Sequence, residues 1–269
     1  KFPHRFFNLG ISESDLVCTG AGFAVAGKIP FVNAYANFLV GNAWEQIRIS
    51  VCYANKNVKL VGHNAGASPG KDGPTHLPLE DIALMRALPR MTVVEPADGV
   101  EMAKAVRAIA EHEGPCYLRV GRLPVPVVTA ADDPFVIGKA NCLRSGTDLT
   151  IVACGVMVGK ALQAAAALEK EGVQAEVINA HTIKPLDEET ILASARKTGA
   201  VVTAEEHTVI GGLGSAVAEL CGRRLPVPLQ MIGVKDRFGE CGTYEELHRL
   251  FGLTAEDIVQ AARQVLQAK

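Results

Sequence analysis

A polar loop at residues 62–81 holds the densest group of side chains that could do chemistry. It reads GHNAGASPGKDGPTHLPLED, and its four glycines and three prolines favour neither helix nor strand. His63, Asn64, Asp72 and His76 could each bind or polarise a ligand, but their spacing does not predict a conventional zinc site. The loop predicts one wall of a pocket that other segments must complete. A solvated surface loop is the open alternative.

Glu13 is a second candidate, in the stretch NLGISESD at the predicted start of a helix. Its neighbours Leu9, Ile11 and Leu16 are apolar. Apolar surroundings raise the pKa of a carboxyl group and suit it to proton transfer. Capping of the helix is the alternative, because an acidic side chain stabilises a helix N-terminus.

Two aromatic side chains, Tyr35 and Phe38, lie three residues apart just after a predicted strand. They could stack on the ring of a ligand or pack into the core, and core packing is the commoner role for aromatics at this spacing. In open α/β sheets, ligands bind at the carboxyl ends of the strands. We therefore expect Glu13 and these two rings to lie near the polar loop.

The composition excludes several classes of function. A net charge of −2 and an isoelectric point near 6.4 argue against nucleic acid or an anionic membrane as the main partner. No apolar stretch approaches the roughly 18 residues of a membrane span, and we expect no signal peptide. Seven scattered cysteines without a C-x-x-C pair predict mostly buried thiols in a reducing compartment, which we take to be the cytoplasm.

Short β-branched runs alternate with alanine-rich helical segments, which is typical of βαβ units around a mostly parallel sheet. We predict an α/β protein of two domains, each with a mostly parallel sheet flanked by helices. Residues 1–130 form the first domain, 131–146 a polar linker without regular structure, and 147–269 the second domain. In the second domain, GGLGS at 211–215 predicts either an anion-binding helix N-terminus or close strand–helix packing.

The periodicity also places individual elements along the chain. Predicted strands are 29–34, 58–61, 92–95, 116–120, 148–153, 175–179, 200–204 and 228–232. Predicted helices are 13–26, 41–49, 79–86, 99–111, 158–171, 188–197, one from 216, and 255–267. Asp98 is the expected N-cap of the helix at 99–111.

Longer segments of the chain resemble transketolase. In the first half these are HRFFNLGISESDLVCTGAGFAVAGKIPFVNAYANF, AWEQIR, VKLVGHNAGASPGKDGPTHLPLED and GPCYLRVGR, in the family's order and spacing. In the second half, GTDLTIVACGVMVGKAL, HTIKPLD, EEHTVIGGLGSAVAE and DRFGECGTYEEL resemble the transketolase C-terminal domain. The resemblance covers essentially the whole chain. It implies a pyrimidine-binding domain and a C-terminal domain, as in the C-terminal subunit of a split transketolase.

The resemblance implies thiamine diphosphate as cofactor and transfer of a two-carbon ketol unit from a ketose phosphate to an aldose phosphate, as in the pentose phosphate pathway. Glu13 matches the glutamate that hydrogen-bonds N1′ of the aminopyrimidine. Phe38 matches the aromatic that stacks on that ring, and Tyr35 matches its aromatic neighbour. His76 matches a histidine near cofactor and substrate, which makes it the second catalytic candidate beside Glu13.

Substrate-binding roles are implied in the same way. Asp72 matches a carboxylate that contacts a substrate hydroxyl, and Arg122 matches an arginine that clamps a sugar phosphate. The sequence departs from the family at Asn64, where a histidine is usual, with His63 one residue earlier. Asparagine cannot exchange a proton near neutral pH. The departure therefore puts the usual ketose donor and aldose acceptor in doubt.

The resemblance also implies a partner. Enzymes of this kind hold the diphosphate through Mg²⁺ or Ca²⁺ on a G-D-G…N segment, and this chain has only K-D-G at 71–73. We expect the metal site on an N-terminal transketolase subunit, in an α2β2 heterotetramer. The alternatives are a β-type subunit of a 2-oxo-acid dehydrogenase, a deoxyxylulose-phosphate synthase, and a non-catalytic regulatory subunit. The last is disfavoured because Glu13, Phe38, Asp72 and His76 are all present.

Overall fold

The computed structural model describes residues 2–269, and these contain ten strands. In chain order the strands are β1 (Phe31–Tyr35), β2 (Lys59–His63), β3 (Thr92–Val94), β4 (Cys116–Val120), β5 (Asn141–Arg144), β6 (Leu149–Ala153), β7 (Ala175–Asn179), β8 (Thr182–Lys184), β9 (Val201–Thr208) and β10 (Leu229–Val234). They form two five-stranded sheets with the orders β1-β2-β4-β3-β8 and β10-β9-β6-β7-β5. All pairs are parallel except β3 with β8 and β5 with β7. The predicted α/β class with two mostly parallel sheets is confirmed.

Helices cover the faces of both sheets. They are α1 (Glu13–Val25), α2 (Ala36–Asn42), α3 (Trp44–Gln46), α4 (Asp81–Ala87), α5 (Gly99–Glu111), α6 (Met157–Glu169), α7 (Glu188–Thr198), α8 (Leu213–Arg224), α9 (Tyr244–Leu250) and α10 (Ala255–Gln267). Asp98 caps α5 as predicted, since its carboxylate accepts from the backbone N–H groups of Val100 and Glu101. Among residues 2–269, no helix combines the length and the apolarity that a bilayer crossing requires.

The segment predicted as a helix at 41–49 is helical apart from Ala43, but the helical stretch is longer than predicted. The chain turns into α2 directly at the end of β1, is interrupted at Ala43, and continues through α3 into a π-helical segment, Ile47–Tyr53. Gly41 and Asn42, just before the interruption, are weak helix formers and fit a break at this point. The early start of α2 has a functional consequence, since it places Phe38 one turn from the end of β1.

The structure also contains two short strands that the sequence did not predict. β5 lies in the predicted linker at 131–146, and β8 leaves the second half of the chain to pair with β3 of the first. Both are edge strands of three or four residues, too short for a clear alternating pattern. Because of β8, the two halves share a sheet edge, and Val93, Val152 and Ile178 belong to one hydrophobic core. The exact domain boundaries stay a prediction.

Four of the seven cysteines are buried (Cys52, Cys116, Cys154 and Cys221), and three are exposed (Cys18, Cys142 and Cys241). The prediction of mostly buried thiols is thus confirmed for a bare majority. Burial raises the pKa of the Cys52 and Cys116 thiols to about 11, so both stay protonated and unreactive near neutral pH.

Candidate active site

The carboxyl ends of three neighbouring strands bring the predicted site residues together. In the parallel register Tyr35 of β1 lies beside His63 of β2, and His63 lies beside Val120 of β4. Each strand leads directly into a segment with a candidate residue: α2 after β1, the polar loop after β2, and Arg122 two residues beyond β4. This is the edge at which open α/β sheets bind ligands.

Four rings from these segments form an aromatic cluster. The ring centroids of Tyr35 and His63 are 4.9 Å apart, and those of Phe38 and His76 are 5.0 Å apart at 86°. The rings of Tyr35 and Phe38 are 6.2 Å apart. All four side chains are half-buried. Tyr35 and Phe38 therefore lie outside the hydrophobic core, and part of each ring surface is exposed.

Glu13 lies on the same side of α2 as Phe38. The Nδ2 atom of Asn42 donates a hydrogen bond of 3.5 Å to Oε2 of Glu13. Asn42 follows Phe38 by four residues, so the two side chains occupy one face of the helix. Glu13 is the first residue of α1. Its carboxylate accepts a hydrogen bond from the Asn42 side chain, and this bond gives no support to the helix-capping role.

The apolar surroundings predicted for Glu13 are not formed by this chain alone. Ile11 is 98% exposed, and Leu9 and Leu16 are only partly covered. The prediction failed because neighbours in sequence at a helix start point away from one another. A second chain packed over this surface would supply the missing cover.

Asp72 and Arg122 contact each other. Nη1 of Arg122 donates to Oδ2 of Asp72 at 2.9 Å, and the two side chains are 47% and 37% exposed. A short 3₁₀ turn, Gly70–Asp72, presents the aspartate, and Oγ of Ser68 accepts from the backbone N–H of Arg122. Asp72, matched to a contact with a substrate hydroxyl, and Arg122, matched to a contact with a sugar phosphate, thus form an ion pair with each other. An exposed ion pair contributes only about 0–1 kcal/mol, so an anionic ligand can displace the carboxylate.

Asn64 makes the sharp turn from β2 into the polar loop. Its backbone has a φ of 57°, in the left-handed region where asparagine is favoured among non-glycine residues. Oδ1 of Asn64 lies 3.4 Å from Nδ1 of His63, so the two side chains share one rim of the aromatic cluster. The asparagine thus combines a backbone role with a polar group at the site.

Arg119 supports the C-terminal end of the polar loop from inside the sheet, although it was not among the predicted site residues. Its guanidinium is fully buried and holds both oxygens of Asp81 at 2.8 and 3.0 Å and Oε1 of Glu95 at 2.6 Å. It also donates to the carbonyls of Pro78 and Glu206. Although burial raises it, the charge and hydrogen bonds of Arg119 hold the pKa of Asp81 below its usual value. A charge inside the strand sequence CYLRV was the available signal.

Glu206 of the second domain reaches the same loop. Its carboxylate lies where a Cβ atom on Gly66 would stand, 2.0 Å from Oε2, and Gly66 has a φ of 65°. Oε1 of Glu206 is hydrogen-bonded to Nε2 of His248, whose Nδ1 contacts Lys160. Only glycine fits at position 66, and the loop therefore depends on the second domain for its shape.

The glycine-rich segment 211–215 does not present an open anion site. The Glu205 carboxylate accepts from the N–H groups of Leu213 and Gly214, both at 2.7 Å, and so occupies the N-terminus of α8. A Cβ on Gly212 would lie 2.0 Å from Oε2 of Glu205. Of the two predicted roles, close strand–helix packing is the one present.

Glu205→Gln should make stability depend more steeply on pH. Burial raises the pKa of Glu205 to about 7 and lowers the pKa values of His207 and His181 to about 4. From about pH 4.5 to 6.5 the unfolded chain loses a proton that folded Glu205 keeps, so the Glu205 contribution falls as pH rises. The histidines have the opposite sign, because the unfolded chain binds protons that the folded chain excludes. Removing Glu205 leaves the histidine slope unopposed.

Urea unfolding across this pH range measures the effect. Between pH 4.5 and 7, the free energy of unfolding of the variant should rise by up to about 3 kcal/mol more than that of the wild type. Glu189→Gln is the control, because the Glu189 side chain is 88% exposed. Equal pH slopes for Glu205→Gln and the wild type would contradict the assignment.

Comparisons with known proteins agree with this arrangement. Residues 1–127 match the model of the transketolase pyrimidine-binding domain, and residues 138–258 match that of the transketolase C-terminal domain. The chain is 46% identical over its full length to 84% of the 6-deoxy-6-sulfo-D-fructose transketolase subunit SqwH of Clostridium sp. strain MSTE9. It is 39% identical, over 99% of its length, to 41% of the 1-deoxy-D-xylulose-5-phosphate synthase of Heliobacterium modesticaldum.

Among solved structures, a split-gene transketolase described as an inactive β4 tetramer aligns with a TM-score of 0.94 and 48% identity. The alignment covers 99% of this chain and 86% of that one. Fold and family models thus define a two-domain α/β protein of a class that uses an aminopyrimidine cofactor. The chain belongs to the transketolase family and consists of its pyrimidine-binding and C-terminal domains.

The transketolase family uses thiamine diphosphate, and the site residues fit its pyrimidine half. The half-buried rings of Phe38 and Tyr35 offer a stacking surface, and Glu13 offers a carboxylate on the same side of α2. Within residues 2–269, no group of three or more His, Cys, Asp or Glu residues could hold a metal ion.

Proposed function

We propose that this chain is the C-terminal subunit of a split transketolase. The assembled enzyme transfers a two-carbon ketol unit from a ketose to an aldose. The observation that supports this best is the convergence of Glu13, Phe38, His76, Asp72 and Arg122 at one edge of the first sheet. A cofactor-binding carboxylate and ring, a proton-exchanging imidazole and an anion-binding guanidinium are the groups that this transfer needs.

Thiamine diphosphate, when bound, supplies a nucleophilic ring carbon and a sink for electrons. The Glu13 carboxyl would hold a proton at N1′ of the pyrimidine, and the Phe38 ring would stack on the pyrimidine beside Tyr35. Nδ1 of His76 lies 2.9 Å from Oγ1 of Thr75, so His76 exchanges a proton with a substrate oxygen through Nε2. The Phe38 and His76 rings are 5.0 Å apart, which supports a proton exchange beside the bound cofactor.

The substrate carries an anionic end. The Arg122 guanidinium has the geometry to bind a phosphate or a sulfonate equally well. Once the anion replaces the Asp72 carboxylate in the pair with Arg122, Asp72 is free to contact a substrate hydroxyl. The Clostridium relative is named for a sulfonated ketose, which extends the proposal beyond sugar phosphates. Asn64 and His63 line the other rim and set which hydroxyl pattern fits. Cytoplasmic location and a place in the pentose phosphate pathway stay predictions.

A partner chain completes the site. Large apolar side chains are exposed on α1 and on the segment before it: Phe6 is 75%, Ile11 98% and Val25 69% exposed. A free protein rarely exposes so many grouped apolar side chains, and a covering subunit would also desolvate Glu13. We propose that an N-terminal subunit provides this cover together with the Mg²⁺ or Ca²⁺ that binds the diphosphate, in an α2β2 assembly.

The chain alone should be inactive, and mixing it with the co-encoded N-terminal subunit should restore ketol transfer. The physical reason is that the partner supplies the binding site for the diphosphate, the metal ion and half of the pocket. Turnover of fructose 6-phosphate and of 6-deoxy-6-sulfo-D-fructose with an aldose acceptor, with and without the partner, measures this. Full activity of the single chain would refute the split assembly.

A 1-deoxy-D-xylulose-5-phosphate synthase type of condensation is the second candidate, favoured by the 39% identity to that enzyme. A β-type 2-oxo-acid dehydrogenase subunit would share its use of a 2-oxo acid. Release of CO₂ from pyruvate by the assembled enzyme, without turnover of either ketose, would favour these alternatives. If neither reaction occurs although thiamine diphosphate binds, the chain is a regulatory subunit.

A further inference from the structure

A segment of the second domain, residues 237–242, packs against the part of the polar loop that carries Asp72. The Sγ atom of Cys241 donates a hydrogen bond of 3.1 Å to the carbonyl oxygen of Lys71. A Cβ atom built on Gly70 would lie 3.1 Å from the carbonyl oxygen of Gly242. The two segments therefore contact each other at Gly70 and Lys71, the two residues before Asp72.

The contact continues along the loop toward His76. A Cβ atom on Gly239 would lie 3.1 Å from Cβ of Leu77 and 3.4 Å from Cα of Pro74. Gly239 is buried although its neighbours in the segment are exposed, because the loop covers it. The absence of a side chain at Gly239 is what lets the two chains approach so closely.

Each side of this contact is fixed within its own domain. Arg237 pairs with Glu240 and lies 5.4 Å from the centre of the Phe251 ring, and a capping box of Thr243 with Glu246 begins α9 directly after the segment. The loop side is a 3₁₀ turn, in which the N–H groups of Asp72 and Gly73 donate to Pro69 and Gly70. The segment that leads into α9 thus meets the 3₁₀ turn that presents Asp72.

Lys71 also faces the second domain. Hydrogen bonds from Thr243, and more weakly the charges of Arg249 and Lys71, hold the pKa of Glu246 below its usual value. The Lys71 ammonium therefore lies close enough to the start of α9 to interact with it. The Lys71 carbonyl and the Lys71 charge both take part in the contact with the second domain. Asp72, the next residue of the turn, pairs with Arg122 instead.

We infer that residues 237–242 position Asp72 for substrate recognition, with Cys241 as the main hydrogen-bond donor. The inference deepens the proposed function, because it assigns the second domain a part in substrate specificity at the same site. Cys241 is a positioning residue: it acts through the Lys71 carbonyl and the 3₁₀ turn. Loss of this donor loosens the turn, and the Asp72 carboxylate no longer stays where a substrate hydroxyl would meet it.

Cys241→Ala and Cys241→Ser in the assembled enzyme test this. We expect Cys241→Ala to raise KM for the ketose about fivefold at nearly unchanged kcat, the effect of one lost hydrogen bond. Serine keeps a donor and should restore most of the wild-type KM. Cys142→Ser is the control, because Cys142 is also an exposed thiol but lies on β5. A wild-type KM for Cys241→Ala would overturn the inference.

Hydrogen exchange gives a readout that does not depend on activity. The amides of Asp72, Gly73 and His76 should exchange several-fold faster in Cys241→Ala, and more so in Gly239→Val, whose side chain would push Leu77 away. Unchanged exchange in both variants would overturn the contact. If exchange changes but no ketose reacts in any variant, the contact stands and the proposed reaction fails.

Discussion

Glu13→Ala should lower kcat of the assembled enzyme about 10²- to 10⁴-fold, the range for loss of a general acid–base group. In the proposed site this carboxyl exchanges a proton with the pyrimidine, because it lies on the side of α2 that carries Phe38. Alanine removes that group without disturbing the core, because the side chain is only half-buried. Steady-state turnover measures the loss, and analytical ultracentrifugation checks that assembly with the partner persists.

Two further variants separate proton exchange from side-chain shape and from helix stability. Glu13→Gln keeps the shape and the hydrogen bond from Asn42 but cannot exchange the proton, so its activity should fall nearly as far as that of Glu13→Ala. Asp15→Ala removes an exposed carboxylate from the same first turn of α1 and should keep wild-type turnover. Turnover of Glu13→Ala within a few-fold of wild type would refute the assigned role.

The sequence predicted β3 and β4 of the first sheet well because both strands are buried. All residues of β3 and most of β4 are buried, so these strands are continuous apolar runs between turn residues. β8 was missed for the opposite reason: only three residues pair, and their partner β3 lies some 90 positions away in sequence. Long-range pairing of that kind leaves no local pattern.

The site residues were predicted singly, and their spatial relations were not. The pairing of Tyr35 with His63 follows from strand register, which a parallel sheet makes foreseeable. The ion pair of Asp72 with Arg122 spans 50 residues and depends on the 3₁₀ turn, so resemblance gave each residue a separate ligand. The support from Glu206 and from residues 237–242 comes from another domain, where no motif signals it.

Arg119→Met should destabilise the chain by about 3–5 kcal/mol. Arg119 is the counter-charge for the buried carboxylates of Asp81 and Glu95, whose side chains are 1% and 8% exposed. Methionine fills much of the space but leaves both carboxylates unpaired, and such groups raise their pKa and take up protons. The loss should therefore shrink as pH falls, with urea unfolding at about pH 5 and 8 as the measurement.

The matched control is Arg107→Met, which removes an exposed arginine from α5 and should change stability by less than about 0.5 kcal/mol. Adding Asp81→Asn and Glu95→Gln to Arg119→Met should recover part of the loss, because neutral amides tolerate burial better than unpaired charges. A loss that grew at low pH would contradict the assignment. Asp81 begins the helix after the polar loop, and Arg119 also holds the Pro78 carbonyl, so this core charge network fixes where the loop ends. Folded Arg119→Met should then show a raised KM as well as a lowered stability.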